Sequence, residues 1–195
     1  YRYELAALYP EHQVRVTLDG LMNGSRQGDS VVRYIYSLLG VRTQFSEPHS
    51  NQPTVVKLSR HADHVDNLTY DFINCPDLAQ TVVCTCCALN VPFTFTGLNS
   101  LRIKETDRLE ALRKELLKLG YIIDIEGDDK LTWSGAKCEP SFEAIDTYDD
   151  HRMAMAFAPF AIKFPHLHIR NPQVVSKSYP GFWSDLKAAW FNINE

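Results

Sequence analysis

Apolar and polar positions follow two periods along this chain, and the changes of period divide it into elements. Three times, an apolar run of helical spacing leads into a short alternating run. Each then passes through a turn marked by Gly-Leu or Asn-Pro into a second helical run. The first copy predicts a helix over 3–9, a strand over 13–18, a turn at Gly20-Leu21 and a helix near 29–39. The second predicts a helix over 77–89, a strand over 92–96, a turn at Gly97-Leu98 and a helix over 105–119. The third predicts a helix over 150–162, a strand over 167–170, a turn at Asn171-Pro172 and a helix over 181–190. Turn positions 20, 97 and 171 lie 77 and 74 residues apart, a longer period than solenoid repeats use. The spacing therefore predicts internal pseudo-symmetry rather than a repeat array.

Two further strand-like runs follow the second helix of the first two copies, over 41–45 and 54–58, then over 121–125 and 130–133. The unit is α-β-α-β-β, or βαβαββ read cyclically. Leu109, Leu112, Leu116 and Leu119 share one helical face, opposite Glu110, Arg113, Lys114 and Lys118, as in a half-exposed helix. Residues 78–89 and 153–162 are apolar almost all round and are predicted to be buried on every side. The expected fold is α/β, a pseudo-threefold domain of βαβαββ units with helices inside and sheets outside. No Gly/Ser- or Pro-rich linker interrupts it, so residues 1–195 read as a single domain.

Composition narrows the function. With 45% hydrophobic and 23% charged residues the chain is an ordinary globular protein. A net charge of −4 supplies no basic field, which argues against a general nucleic-acid or anionic-membrane binder. No apolar run approaches the ~18–20 residues of a membrane span. No charged segment precedes Tyr1 as a signal peptide would require, and a start at Tyr1 reads as a piece of a longer chain. Five cysteines, three of them in Cys84-Thr85-Cys86-Cys87, form neither an even disulfide framework nor paired metal-binding CxxC motifs. They predict reduced thiols and a cytoplasmic location.

Candidate chemistry stands where local rules break. Helix openings favour acids, because their free N–H groups carry partial positive charge. Here Lys104 and Arg108 flank one opening, Arg152 sits at a second, and Lys177 precedes a third. A bound phosphate or carboxylate would reverse each penalty. The alternative is a charged surface with local ion pairs such as Glu105 or Asp107 with Arg108; three basic clusters at equivalent places favour the anion site. Asp77 is either a helix cap or, with Glu105, a general acid or base facing those cations. Asp149 and Asp150 are expected to cap and to orient Arg152. His151 is a proton-relay candidate beside its commoner structural role. No phosphate-loop, dinucleotide, zinc-protease or serine-hydrolase motif occurs.

These residues resemble the signatures of a family. Leu101-Arg102-Ile103-Lys104-Glu105-Thr106-Asp107-Arg108, Thr147-Tyr148-Asp149-Asp150-His151-Arg152-Met153-Ala154-Met155 and Lys177-Ser178-Tyr179-Pro180-Gly181-Phe182 are similar, in order and spacing, to three motifs of the 5-enolpyruvylshikimate-3-phosphate synthase family. Ser25-Arg26-Gln27-Gly28-Asp29 and Pro76-Asp77 add two more. The resemblance implies one domain of a two-domain enzyme, an inside-out α/β barrel. It would transfer an enolpyruvyl group from phosphoenolpyruvate to the 5-hydroxyl of shikimate 3-phosphate, through a tetrahedral intermediate and without metal or organic cofactor. It also implies glyphosate as an inhibitor, a place on the shikimate pathway to chorismate and the aromatic amino acids, and a monomeric full-length enzyme.

By the same resemblance Asp77 holds the shikimate hydroxyls and accepts a proton, Lys104 binds shikimate 3-phosphate near the reacting hydroxyl, and Glu105 donates or relays a proton. Arg108, Arg152 and Lys177 grip phosphoenolpyruvate, and Ser100 is a further contact to shikimate 3-phosphate. The family's chains are about twice this length, so this chain alone is expected to bind anions weakly and not to turn over. Two alternatives stay open: the sister transferase acting on UDP-N-acetylglucosamine, and a non-catalytic anion-binding module of the same fold.

Overall fold

The computed structural model describes residues 1–9, 16–19, 28–46, 55–61, 63–189 and 191–194. Its helices are α1 (Arg2–Leu8), α2 (Val32–Leu38), α3 (Ala79–Leu89), α4 (Arg108–Lys118), α5 (His151–Phe157) and α6 (Phe182–Ala188). Its strands are β1 (Val16–Asp19), β2 (Val41–Phe45), β3 (Val55–Arg60), β4 (Leu68–Asp71), β5 (Phe93–Thr96), β6 (Asp124–Glu126) and β7 (Lys130–Trp133).

One sheet has the order β1-β3-β2 and is antiparallel throughout; the other has the order β4-β5-β7-β6. In the second, β4 pairs parallel with β5, and a parallel pair needs a crossover, which α3 supplies. Residues 68–133 thus run βαβαββ. The pattern of hydrophobic positions did not predict β4, whose parallel partner lies across a helix.

The expected strand over 167–170 is reduced to one parallel bridge between Ile145 and Ile169. The Ile145 N–H donates to the His168 carbonyl and the Arg170 N–H donates to the Ile145 carbonyl, both at 2.8 Å. This bridge spans α5 as the β4–β5 pair spans α3. A ladder grows by pairing on successive residues, and among the described residues this segment pairs at one position only.

Helix α3 lies at the centre, with ten of its eleven residues buried and with α1 and α5 packed against it. Cys84, Cys86 and Cys87 fill that interior as small apolar side chains; none of the five cysteines forms a disulfide, and Cys138 alone is exposed. Strands β5 and β7 bury alternate residues, so their sheet has one face on the core. Helix α4 buries Leu109, Leu112 and Leu116 completely, as predicted, and also Glu115. Beyond Phe157 the α5 segment tightens into the 3-10 turn Ala158–Ile162, because Pro159 lacks the N–H that an α-helix needs there. The predicted turn at Gly97 requires glycine: φ is +72°, and a Cβ would stand 2.4 Å from the Ile73 backbone nitrogen.

Glu4 in α1 is fully buried, and neither carboxylate oxygen has a hydrogen-bond partner among the described residues. Burial raises its pKa well above the ordinary carboxyl value, against a weaker opposing pull from the chain's amino group. With a raised folded-state pKa, Glu4 favours the fold below the unfolded-state value, and that contribution is lost as pH rises through the folded-state value. Glu4→Gln is accordingly expected to stabilise the chain at pH 8 and to lose that advantage at pH 4. Paired urea denaturation curves at the two pH values check this; an equal effect at both would refute it.

Candidate active site

The helix expected from residue 105 begins at Arg108, because the Asp107 carboxylate accepts from the Leu109 and Glu110 N–H groups and caps α4. Lys104 and Glu105 therefore lie in the segment leading into the helix, so Lys104 and Arg108 do not share a helical face. The two still converge on one carboxylate, Asp77 Oδ1, at 3.8 and 2.9 Å. Asp77, in the 3-10 turn Pro76–Leu78, caps nothing: helix α3 starts with no side-chain cap. Its second oxygen accepts from Arg152 Nη2 at 3.1 Å, so three cations share this one acid.

Arg108 is the hub. Its guanidinium donates from Nε to Asp150 at 2.6 Å, from Nη1 to Asp77 at 2.9 Å and from Nη2 to Glu105 at 2.8 Å. Its side chain is 2% exposed and that of Asp150 is 0%, so this pair is the dry anchor of the cluster. Around it stand Asp77, Glu105, Lys104 and Arg152 with side-chain exposures of 31, 46, 38 and 27%. These four are open to a ligand.

Asp150 also caps α5 by accepting from the Arg152 N–H at 2.8 Å, as expected, whereas Asp149 accepts from Asn171 instead. Glu105 is held below the ordinary carboxyl range by its own backbone N–H first, then by Arg108, His151 and Lys104. His151, the first residue of α5, is thereby placed within electrostatic reach of Glu105. For Arg108, burial pulls the pKa down but Asp150, Glu105 and Asp77 outweigh it, so it stays charged.

Ser100 is half-buried in the 3-10 turn Asn99–Ile103, which packs against the turn carrying Asp77. Lys177 ends the 3-10 turn Pro172–Lys177, which packs on α5; it is exposed and makes no hydrogen bond or ion pair among the described residues. Of the Ser25–Asp29 motif, residues 25–27 lie outside the described residues. Two members were not foreseen. Tyr1 lies within electrostatic reach of Arg152, and burial, against the pull of that cation, pushes its hydroxyl up to about 12. Arg102 ties Asp107 to the carbonyls of Gly127 and Asp128 and so fixes the α4 cap to the β6–β7 turn. An aromatic at the mouth of an apolar helix carries no sequence signal of such a role. A groove of about 530 Å3 lined by Leu167, Ile169, Trp183, Leu186, Phe191 and Ile193 contains none of these charged residues.

The arrangement suits an anionic ligand. Arg152 and Lys104 can exchange Asp77 for an incoming phosphate or carboxylate, while Asp77 and Glu105, both open to solvent, remain beside it as proton-transfer groups. Comparisons with known proteins give the family. The family model described as EPSP synthase (3-phosphoshikimate 1-carboxyvinyltransferase) matches residues 3–186. A 3-phosphoshikimate 1-carboxyvinyltransferase of Bacteroides fragilis is 51% identical over 194 residues, covering 99% of this chain and 45% of that protein. The chloroplastic enzyme of Brassica napus is 32% identical over 176 residues, covering 89% of this chain and 33% of its own. An EPSP synthase structure from Acinetobacter baumannii matches the fold with a TM-score of 0.75 at 17% identity, over 98% of this chain and 45% of that one. The chain thus spans about half the length of the curated relatives it matches, and it belongs to the EPSP synthase family.

Proposed function

We propose that this chain supplies one of the two halves of an enzyme that transfers an enolpyruvyl group from phosphoenolpyruvate to the 5-hydroxyl of shikimate 3-phosphate. The observation that carries this reading is Asp77: a carboxylate free of capping duty, open to solvent and shared by Arg108, Arg152 and Lys104. Asp77 takes the proton of the 5-hydroxyl as its oxygen bonds to C2 of phosphoenolpyruvate, and C3 gains a proton. C3 then gives a proton back, the bond from C2 to phosphate breaks, and the enolpyruvyl ether and phosphate remain. Glu105, held ionised at rest, suits the relay of the C3 proton better than its storage. Arg152, Lys177 and Arg108 clamp the carboxylate and phosphate of phosphoenolpyruvate, with Lys104 and Ser100 on shikimate 3-phosphate. Such clamps hold the reactants in register and stabilise charge as it develops.

The same reading makes residues 1–195 a single domain of pseudo-threefold βαβαββ units. Residues 68–133 are one complete unit, and the Ile145–Ile169 bridge across α5 is the start of another. It places the protein in the cytoplasm, as a monomer at full length, needing no metal or organic cofactor and inhibited by glyphosate. Among the described residues no helix is long and apolar enough to cross a membrane.

The test is phosphate release from phosphoenolpyruvate by a family-length enzyme carrying this chain, with shikimate 3-phosphate or UDP-N-acetylglucosamine as acceptor. Turnover is expected with the first alone, and none from the 195-residue chain by itself. Turnover with the sugar nucleotide alone would reassign the acceptor, and none with either would favour a non-catalytic anion-binding module.

A further inference from the structure

The segment that presents Asp150 and Arg152 is backbone that side chains rarely tolerate. Tyr148 and Asp149 both have φ of +54°, and the Asp150 N–H donates to the Thr147 carbonyl at 2.8 Å. Positive φ at both central residues is the mark of a primed turn, normally built from Asn-Gly or Gly-Gly. A tyrosine there is a steric outlier that persists only where its surroundings hold it. Those surroundings converge on one residue, Glu115.

Glu115 lies seven residues after Arg108 on α4, two turns along the same face and about 10 Å away at 1.5 Å per residue. Its carboxylate is fully buried. Oε1 accepts from the Tyr148 hydroxyl at 2.7 Å, and Oε2 accepts from the Asp146 N–H at 2.9 Å and from Lys118 Nζ at 2.6 Å. Lys118 in turn reaches the Ala144 carbonyl at 3.0 Å and the Asp146 carboxylate at 3.1 Å. Helix α4 therefore holds the 144–150 segment at two points, through Glu115 before and within the turn and through Arg108 at Asp150, its last residue. Burial first, then the Glu115 bond, keeps the Tyr148 hydroxyl protonated and donating.

We propose that Glu115 is a positioning residue for the enolpyruvyl-transfer site. Its carboxylate, through Tyr148 and the Asp146 amide, locks the Thr147–Asp150 turn so that Asp150 meets Arg108 and Arg152 meets Asp77. The proposal rests on the reading of the site above, although the lock itself does not depend on which acceptor is used.

The test compares Tyr148→Phe, Glu115→Gln and Glu115→Ala in the family-length enzyme. Three readouts are needed: kcat and KM for phosphoenolpyruvate, thermal midpoint, and hydrogen exchange resolved by peptide. Tyr148→Phe removes one hydroxyl and no volume that the fold needs. It is expected to lower kcat roughly tenfold or more, since small misplacements of reacting groups are costly. It should raise KM, and speed exchange in the 145–153 peptide selectively while other core peptides stay protected. Glu115→Gln, which keeps an oxygen for Tyr148, should retain more activity than Glu115→Ala. Unchanged kcat, KM and exchange in Tyr148→Phe would overturn the proposal. So would exchange accelerated evenly across the chain with kcat unchanged in the folded fraction. If the unsubstituted enzyme turns over neither acceptor, the functional reading fails and the exchange pattern alone decides whether the lock exists.

Discussion

Arg108→Ala is expected to cost the fold about 3–5 kcal/mol, the usual penalty for breaking a buried ion pair by removing one partner. The cost lies in what is left behind. Asp150 is 0% exposed and takes its shortest hydrogen bond, 2.6 Å, from Arg108 Nε. Without the guanidinium that carboxylate keeps, among the described residues, only its capping bond to the Arg152 N–H. Asp77, partly exposed, and Glu105, exposed, rehydrate and contribute little. At about 2–4 °C per kcal/mol for a domain of this size, the thermal midpoint should fall by roughly 6–20 °C. Arg108→Lys keeps the charge but loses the planar fork that reaches three acids at once, and should fall between. The decisive comparison is the double variant with Asp150→Ala, which removes the stranded charge and should recover part of the loss, less about 1 kcal/mol for the α5 cap. A midpoint within 2 °C of the unsubstituted chain for Arg108→Ala would show the cluster to be solvated and weak.

Asp77→Asn should behave in the opposite way, with a large loss of rate and a small loss of stability. Its side chain is 31% exposed, and Arg108 retains Asp150 and Glu105 when Asp77 is neutralised. The amide keeps an oxygen for Arg108 or Arg152 but cannot take a proton from the 5-hydroxyl. General-base contributions are worth about 10²–10⁴ in rate, so kcat in the family-length enzyme is expected to fall by that range with the midpoint nearly unmoved. Lys104→Met, which removes the cation 3.8 Å from the same carboxylate, should also suppress turnover. A kcat for Asp77→Asn within tenfold of the parent would remove Asp77 from the proton-transfer step.

The two variants separate what the sequence discloses from what only folding assembles. Lys104, Arg108 and Arg152 were legible because cations at helix openings break a local rule, and Asp77, Glu105, Asp150 and His151 because they stand beside those cations. Of their partners, only the local ones, Glu105 with Arg108 and Asp150 with Arg152, were legible. That Arg108 would be buried and answered by three acids depends on bringing residues 77, 105 and 150 together, and no local period encodes that. The helices were read well because each buries a face or a whole circumference. The elements that went astray were the short ones: β4, the shortened β6 and the single Ile145–Ile169 bridge. For β4 and the bridge, the pairing partner lies across a helix, which local alternation does not report. Glu115 was not singled out in the sequence, because nothing in a charged residue's local pattern marks it for full burial.

The thiols in α3 give the molecule a built-in clock. Burial raises the pKa of Cys84, Cys86 and Cys87, and with Cys75 they make four sulfurs closed to solvent against one, Cys138, that is open. A thiol reagent added to the native protein will modify Cys138 at once and must then wait, because α3 cannot admit it without parting from α1 and α5. The slow phase of that reaction times the opening of the innermost helix, and a ligand gripped by Arg152 at the head of α5 should lengthen it.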